Sequence, residues 1–166
     1  MATTDFSFES FPKLNLPPVE LRVNREGGIL KVYDSLRKKF VALTPEEFVR
    51  QHFVSWLISS LHYPPSLMAN EIGIDLNGTK KRCDSVVFNP DGTPLTIVEY
   101  KAPDVKITQQ VFEQIARYNI VLKARYLVVS NGLNHYCCVM DYKNDSYQFI
   151  PAIPDYREMK YNLNQN

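Results

Sequence analysis

Between Ile72 and Lys101 the chain alternates strand-forming segments with two strong turn signals, and this most restricts its fold. Ile72, Ile74 and Leu76 alternate with polar residues up to Asn77-Gly78, a dipeptide that readily takes the positive φ angles of a tight hairpin. Arg82 to Phe88 is the return strand, Asn89-Pro90-Asp91-Gly92 a second turn, and Leu95 to Lys101 a third strand ended by Ala102-Pro103. Three consecutive strands joined by tight turns form a meander, and a meander with one apolar face must be covered by other elements.

Helices on either side supply that cover. Thr44-Pro45-Glu46-Glu47 predicts a helix start, with Thr44 as N-cap, Pro45 at the first helical position and Glu47 completing a capping box. Phe48, Phe53, Trp56, Leu57 and Leu61 form its stripe, and Pro64-Pro65 closes the segment. Thr108 to Lys123 is expected as a second helix, with Val111, Ile115, Tyr118 and Leu122 as its apolar stripe. Tyr126 to Val129 is a short buried strand stopped by Ser130-Asn131-Gly132, so the third meander strand, helix and this strand suit a right-handed crossover. Flanking hairpins are expected at Glu20–Asn24 with Ile29–Tyr33, and at Tyr136–Met140 with Tyr147–Ile150. Residues 1–18 are expected to be an extended arm and 151–166 an irregular tail around a core of 19–150. The predicted class is α/β or α+β with a mixed central sheet, in one domain over 1–166.

Composition removes several function classes. A chain of 166 residues with 45% hydrophobic content can bury a core, which excludes global disorder. No apolar run is long enough to span a membrane, and Met1 to Ser10 does not have the pattern of a secretory leader. Cys83, Cys137 and Cys138 form neither a disulfide framework nor a zinc knuckle, so a reducing cytoplasm is the expected setting. The net charge of +1 confines any nucleic-acid surface to a local patch. Lys80-Lys81-Arg82 is the candidate patch, to which Arg50, Lys106 and Arg117 are possible additions, and a merely solvated hairpin end is the alternative.

The chemistry concentrates after Asp84. Glu99 and Lys101 are two apart on a strand and share one face. Charges on an otherwise apolar strand are costly unless paired or metal-bound. Antiparallel pairing brings Asp84 toward Glu99, and two adjacent carboxylates repel unless a divalent cation lies between them. Magnesium suits such oxygen donors, and a bound magnesium ion acidifies water and neutralises charge on a phosphodiester. Lys101 then orients or helps deprotonate that water, or holds the phosphate. Gln114 and Tyr118, at i and i+4, share a face of the second helix.

Asp84, then Glu99-Tyr100-Lys101, then Gln114-Ile115-Ala116-Arg117-Tyr118, together with the helix, three strands, helix, strand order, resembles the PD-(D/E)XK nuclease superfamily. More closely, Thr44-Pro45-Glu46-Glu47-x-Val49-Arg50, Lys81-Arg82-Cys83-Asp84, Val98-Glu99-Tyr100-Lys101-Ala102-Pro103, Gln114-x3-Tyr118-Asn119 and Ser130-Asn131-Gly132 resemble stand-alone proteins related to the N-terminal nuclease domain of type I restriction enzyme R subunits. The resemblance implies a restriction-endonuclease-like core. It also implies magnesium-dependent DNA cleavage, with manganese expected to substitute. Asp84 and Glu99 would be metal ligands, with the carbonyl of Tyr100 as a third. Lys101 would be the catalytic lysine and Glu47 the acid of the first helix. Gln114 and Tyr118 would support the site or contact DNA. Tyr100 stands where many relatives carry a small residue or cysteine, and Cys83 stands where a proline often precedes the acid. Type I subunits continue into ATP-driven translocase domains, so this chain is expected to act as a lone nuclease-like domain. It would draw recognition or motor function from a protein partner, with a homodimer also compatible. Two other readings remain open: a DNA-binding or assembly module that keeps the fold without cutting, and a structural domain in which Asp84, Glu99 and Lys101 form an internal ion cluster.

Overall fold

In the computed structural model, the described residues are 10–76 and 78–163; Asn77 and the side chains of Ile74, Leu76, Lys81 and Tyr118, all named above, lie outside them. The elements run β1 (Val23–Glu26), β2 (Ile29–Asp34), β3 (Lys39–Ala42), α1 (Pro45–Ser59), β4 (Met68–Leu76), β5 (Thr79–Phe88), β6 (Pro94–Tyr100), α2 (Gln109–Asn119), β7 (Tyr126–Ser130), β8 (His135–Asp141), β9 (Ser146–Ile150) and α3 (Tyr156–Leu163). β1 to β3 form a small antiparallel sheet, and β4 to β9 form a six-stranded sheet in sequence order. Within the larger sheet β6 and β7 are parallel, joined through α2, and every other pair is antiparallel. The mixed sheet with few helices is the predicted α+β class.

The meander forms, with strands longer than expected at the first turn. Leu76 pairs with Thr79, so Lys80 to Arg82 belong to β5 rather than to a hairpin end. The first hairpin turns on Gly27 and Gly28 at φ +56° and +80°, which moves Arg25 and Glu26 into β1. β3 was not among the predicted strands; it pairs Lys39 to Ala42 with β2.

Thr44 caps α1 as predicted, its hydroxyl accepting the Glu47 N–H at 3.1 Å. The reciprocal half of the capping box does not form, because Thr44 N–H donates to Ala42 O and the Glu47 carboxylate is engaged elsewhere. α1 ends at Ser59, before the prolines, and Pro65 opens a short 3-10 turn.

The two faces of the large sheet bury separate cores. Phe53, Leu57, Val98, Tyr100, Val128 and Cys137 pack on the α1 side, whereas Val86, Ile97, Phe112, Ala116, Leu127, Val129 and Cys138 pack on the α2 side. Alternation along β6, β7 and β8 produces this division, and it sends the adjacent cysteines to opposite faces as free thiols. The apolar stripe of α2 is corrected in part: Leu122 is buried and Ile115 packs against this core as expected, Phe112 and Ala116 are buried beside them, and Val111 is half-buried at a cleft. α2 also stops at Asn119 and continues as a 3-10 turn over Ile120–Leu122.

The expected irregular tail contains α3, whose Tyr156 and Met159 join the α1-side core. Tyr63 donates to Pro154 O, and Tyr156 N–H to Leu61 O, so the helix is docked against the end of α1. Its start carries a signal, Asp155 followed by Glu158, and the Asp155 carboxylate accepts the Arg157 N–H. The arm is irregular over 10–18, and residues 1–9 lie outside the described part. Leu14 of the arm is buried against Gly132, where φ is +84° and an added Cβ would lie 2.7 Å from a Leu14 methyl carbon.

Candidate active site

The registers of β4, β5 and β6 assemble the acidic residues. β5 pairs with β6 through Ser85↔Val98, and one step further the same register sets Asp84 opposite Glu99. There the backbone ladder gives way to a side chain: the Asp84 carboxylate accepts the Tyr100 N–H at 2.9 Å. The acid is thus held against the peptide joining Glu99 to Tyr100.

Lys101 follows directly. Its N–H donates to Ser130 O at 2.8 Å, which continues the β6–β7 pairing for one residue. The Asn131 side chain donates to Val105 O and accepts the N–H groups of Leu133 and Asn134. The Ser130-Asn131-Gly132 turn therefore fixes the loop that leaves the site. Glu99 and Lys101 project to the same side and line a cleft of about 460 Å³ with Gln114, Lys80, Arg82, Val105, Val111, Ile115 and Asn119. Three of the predicted site residues and two of the predicted basic residues share this cavity.

Others lie elsewhere. Arg117 is exposed and lines a different cleft, between α2 and the β8–β9 hairpin. Lys106 is exposed in the loop before α2. Glu47 is buried on the α1 side, where Arg37 donates to it at 2.5 Å, Gln51 at 2.9 Å, and the Arg50 guanidinium lies 3.3 Å away. Arg50 is corrected as a member of a surface patch. It is 4% exposed, paired with Glu71, and 3.9 Å from Asp84. Burial alone would weaken its charge, but the adjacent Glu47 and Glu71 carboxylates hold its proton more firmly than usual.

Tyr100 points away from the cleft, as the strand alternation predicts. Burial pushes its hydroxyl well above the usual tyrosine range, keeping it a neutral donor to Ser85 Oγ at 2.9 Å. A polar chain continues from there: Ser85 donates to Asn70, Asn70 to Asp34, and Arg37 bridges Asp34 to Glu47.

Glu71 was not among the predicted site residues. It pairs with buried Arg50 and, at 2.7 Å, with Arg82 at the cleft. A sequence signal existed, because counting back from the Asn77-Gly78 turn through Leu76↔Thr79 sets position 71 opposite 84. Glu71 breaks the pairing there with φ at +54°, an uncommon angle for a residue other than glycine.

The donors fit a hard divalent cation: two partly exposed carboxylates, Asp84 and Glu99, and peptide oxygen. Among the described residues no group of three or more His, Cys, Asp or Glu side chains is placed to hold a metal ion. Such an ion would therefore rest on two carboxylates and be completed by carbonyl and water oxygens, as magnesium commonly is. Among the described residues no helix is long and apolar enough to cross a membrane.

Comparison with known proteins agrees with this architecture. A fragment of a protein described as an HsdR subunit of a type I restriction enzyme from Vibrio vulnificus YJ016 is similar over 73% of this chain, at 21% identity and a TM-score of 0.52, a likeness of fold. This chain spans 25% of that one. No curated protein matches the chain. Residues 45–154 match the family model described as type I restriction enzyme R protein N terminus. That span runs from the first residue of α1 to just before α3 and takes in the whole six-stranded sheet and the cleft, so the chain belongs to the type I restriction enzyme R protein N-terminus family.

Proposed function

We propose that the protein is a magnesium-dependent nuclease acting on DNA phosphodiester bonds. One observation carries this reading: Glu99, Lys101 and Gln114 line a single cleft with Lys80 and Arg82, and Asp84 is held on the intervening Tyr100 N–H. Asp84, Glu99 and the Tyr100 carbonyl would hold the magnesium ion, whose chemistry there is to acidify a bound water and stabilise charge developing on the phosphate. Manganese is expected to replace it. The Lys101 ammonium orients the attacking water or holds a non-bridging phosphate oxygen. Lys80 and Arg82 neutralise neighbouring phosphates, and Gln114 hydrogen-bonds the bound strand from α2. Glu47 serves the site from behind, through Arg50. Recognition of a target sequence is assigned to a protein partner, since the cleft offers a phosphate-binding surface rather than a groove-reading element.

The test is cleavage of supercoiled, linear and single-stranded DNA with magnesium or manganese, comparing the protein with Asp84→Ala. Cleavage that vanishes in the variant supports the reading, and a folded protein that cuts none of the three substrates with either ion overturns it. A second reading is favoured by the Arg50 guanidinium 3.9 Å from Asp84, a resident cation beside the acid. In that reading the protein binds DNA without cutting, and retention of DNA in chelator with no cleavage under any divalent ion would establish it.

A further inference from the structure

Arg50 is the most completely enclosed cation of the site, and it does not line the cleft. Its guanidinium donates to Glu71, lies 3.3 Å from Glu47 and 3.9 Å from Asp84, and sits over the Tyr100 ring at 5.6 Å. Its Nε and Nη1 have no hydrogen-bond partner among the described residues, so the side chain is not placed to satisfy itself. A buried ion pair contributes little stability that well-packed apolar residues would not, so its geometry calls for another account. Three of the four groups it touches lead toward the cleft. Asp84 is the proposed metal ligand, Tyr100 carries the N–H that orients Asp84, and Glu71 extends to Arg82 on the cleft wall. Glu71 makes that bridge from a backbone conformation that side-chain-bearing residues seldom adopt, and such outliers persist where the surroundings hold them in place.

We propose that Arg50 is the positioning residue of this site, with Glu71 as its clamp. The planar fork, held by Glu47 and Glu71 and seated on Tyr100, fixes the Asp84 carboxylate and the Glu99–Lys101 segment, so a divalent cation meets a preformed set of oxygens. A lysine supplies the same charge without the fork and would not hold that geometry. The inference rests on the nuclease reading.

The experiment measures Mn2+ binding by electron paramagnetic resonance on the full chain and on Arg50→Lys and Glu71→Asp, alongside Mn2+-supported cleavage and DNA retention in chelator. Arg50→Lys is expected to weaken Mn2+ binding about 10- to 100-fold, the usual cost of losing a group that orients a metal ligand. Its DNA retention in chelator should stay within about twofold, because Lys80 and Arg82 are intact; a purely structural role would lower both together. Glu71→Asp keeps the charge of a partly exposed carboxylate but shortens its reach to Arg50, and should weaken Mn2+ binding in the same direction, so it carries the test if Arg50→Lys fails to fold. Mn2+ binding unchanged or tighter in the folded variants, both of which keep the local charge, overturns the inference while the nuclease reading stands. A parent chain that neither binds Mn2+ nor cleaves overturns both.

Discussion

The two sides of β6 treat charge differently. On the α1 side Glu47, Arg50 and Glu71 interlock, with Asp84 at the Glu99 level 3.9 Å from Arg50, and a polar chain runs from Tyr100 through Ser85, Asn70, Asp34 and Arg37 back to Glu47. On the α2 side Lys80, Arg82, Glu99, Lys101 and Gln114 line an open cleft. The same strand thus has one neighbourhood in which charges satisfy one another and one in which they face a ligand. The first should determine stability and the second activity. Glu71 and Arg82 form the bridge between them.

The largest effect is expected from Arg50→Ala. Removing the guanidinium leaves Glu47 buried with one partner fewer and should cost about 3–5 kcal/mol by chemical denaturation. Lys101→Ala, on the cleft side, should change stability by no more than about 0.5 kcal/mol. Equal losses from the two substitutions would break the comparison.

Next comes the reverse experiment, on rate. Lys101→Ala should lower cleavage about 10²- to 10³-fold at saturating metal, if its ammonium meets the water or phosphate in the transition state. An unchanged rate constant would move the catalytic role away from this lysine.

Asp34→Asn probes the far end of the buried network and should cost about 1.5–3 kcal/mol, as lost charge-assisted hydrogen bonds do. Burial alone would raise the Asp34 carboxyl, but hydrogen bonds from Asn70 and Arg37 prevail and hold it below the usual range. A carboxyl depressed in the folded state contributes stability at pH values above its unfolded pKa of about 3.9. That contribution is lost as pH falls through the lower folded value. The parent and Asp34→Asn stability curves should therefore converge below about pH 4, and curves that stay parallel would contradict the assignment.

The smallest effect sharpens the cleft side alone. Lys80→Ala removes an exposed cleft lysine and should reduce the salt dependence of DNA binding by about one phosphate contact, with melting temperature unchanged. A normal salt slope would place the DNA elsewhere.

Much of this architecture is legible in local chemistry. Gly78, at φ +81°, turns the first hairpin of the meander and, through the Leu76↔Thr79 register, sets the level of Asp84. Thr44-Pro45 determined the start of α1, and alternation placed Glu99 and Lys101 together and Tyr100 opposite. These signals are short-ranged: a turn needs positive φ, a helix end needs a cap, and a strand has period two. Tertiary structure alone decided where each charge ended. Arg50 looks like a surface arginine until β4 and β5 bring Glu71 and Asp84 to it, because burial of a charge depends on partners distant in sequence. The face of α2 that enters the core was also settled by packing, since Phe112 and Ala116 join Ile97 and Leu127 in one cluster, Ile115 packs at its edge and Val111 was left to line the cleft. α3 forms for the same reason: eight residues make a marginal helix alone, and Tyr156 and Met159 gain their stability only against the end of α1.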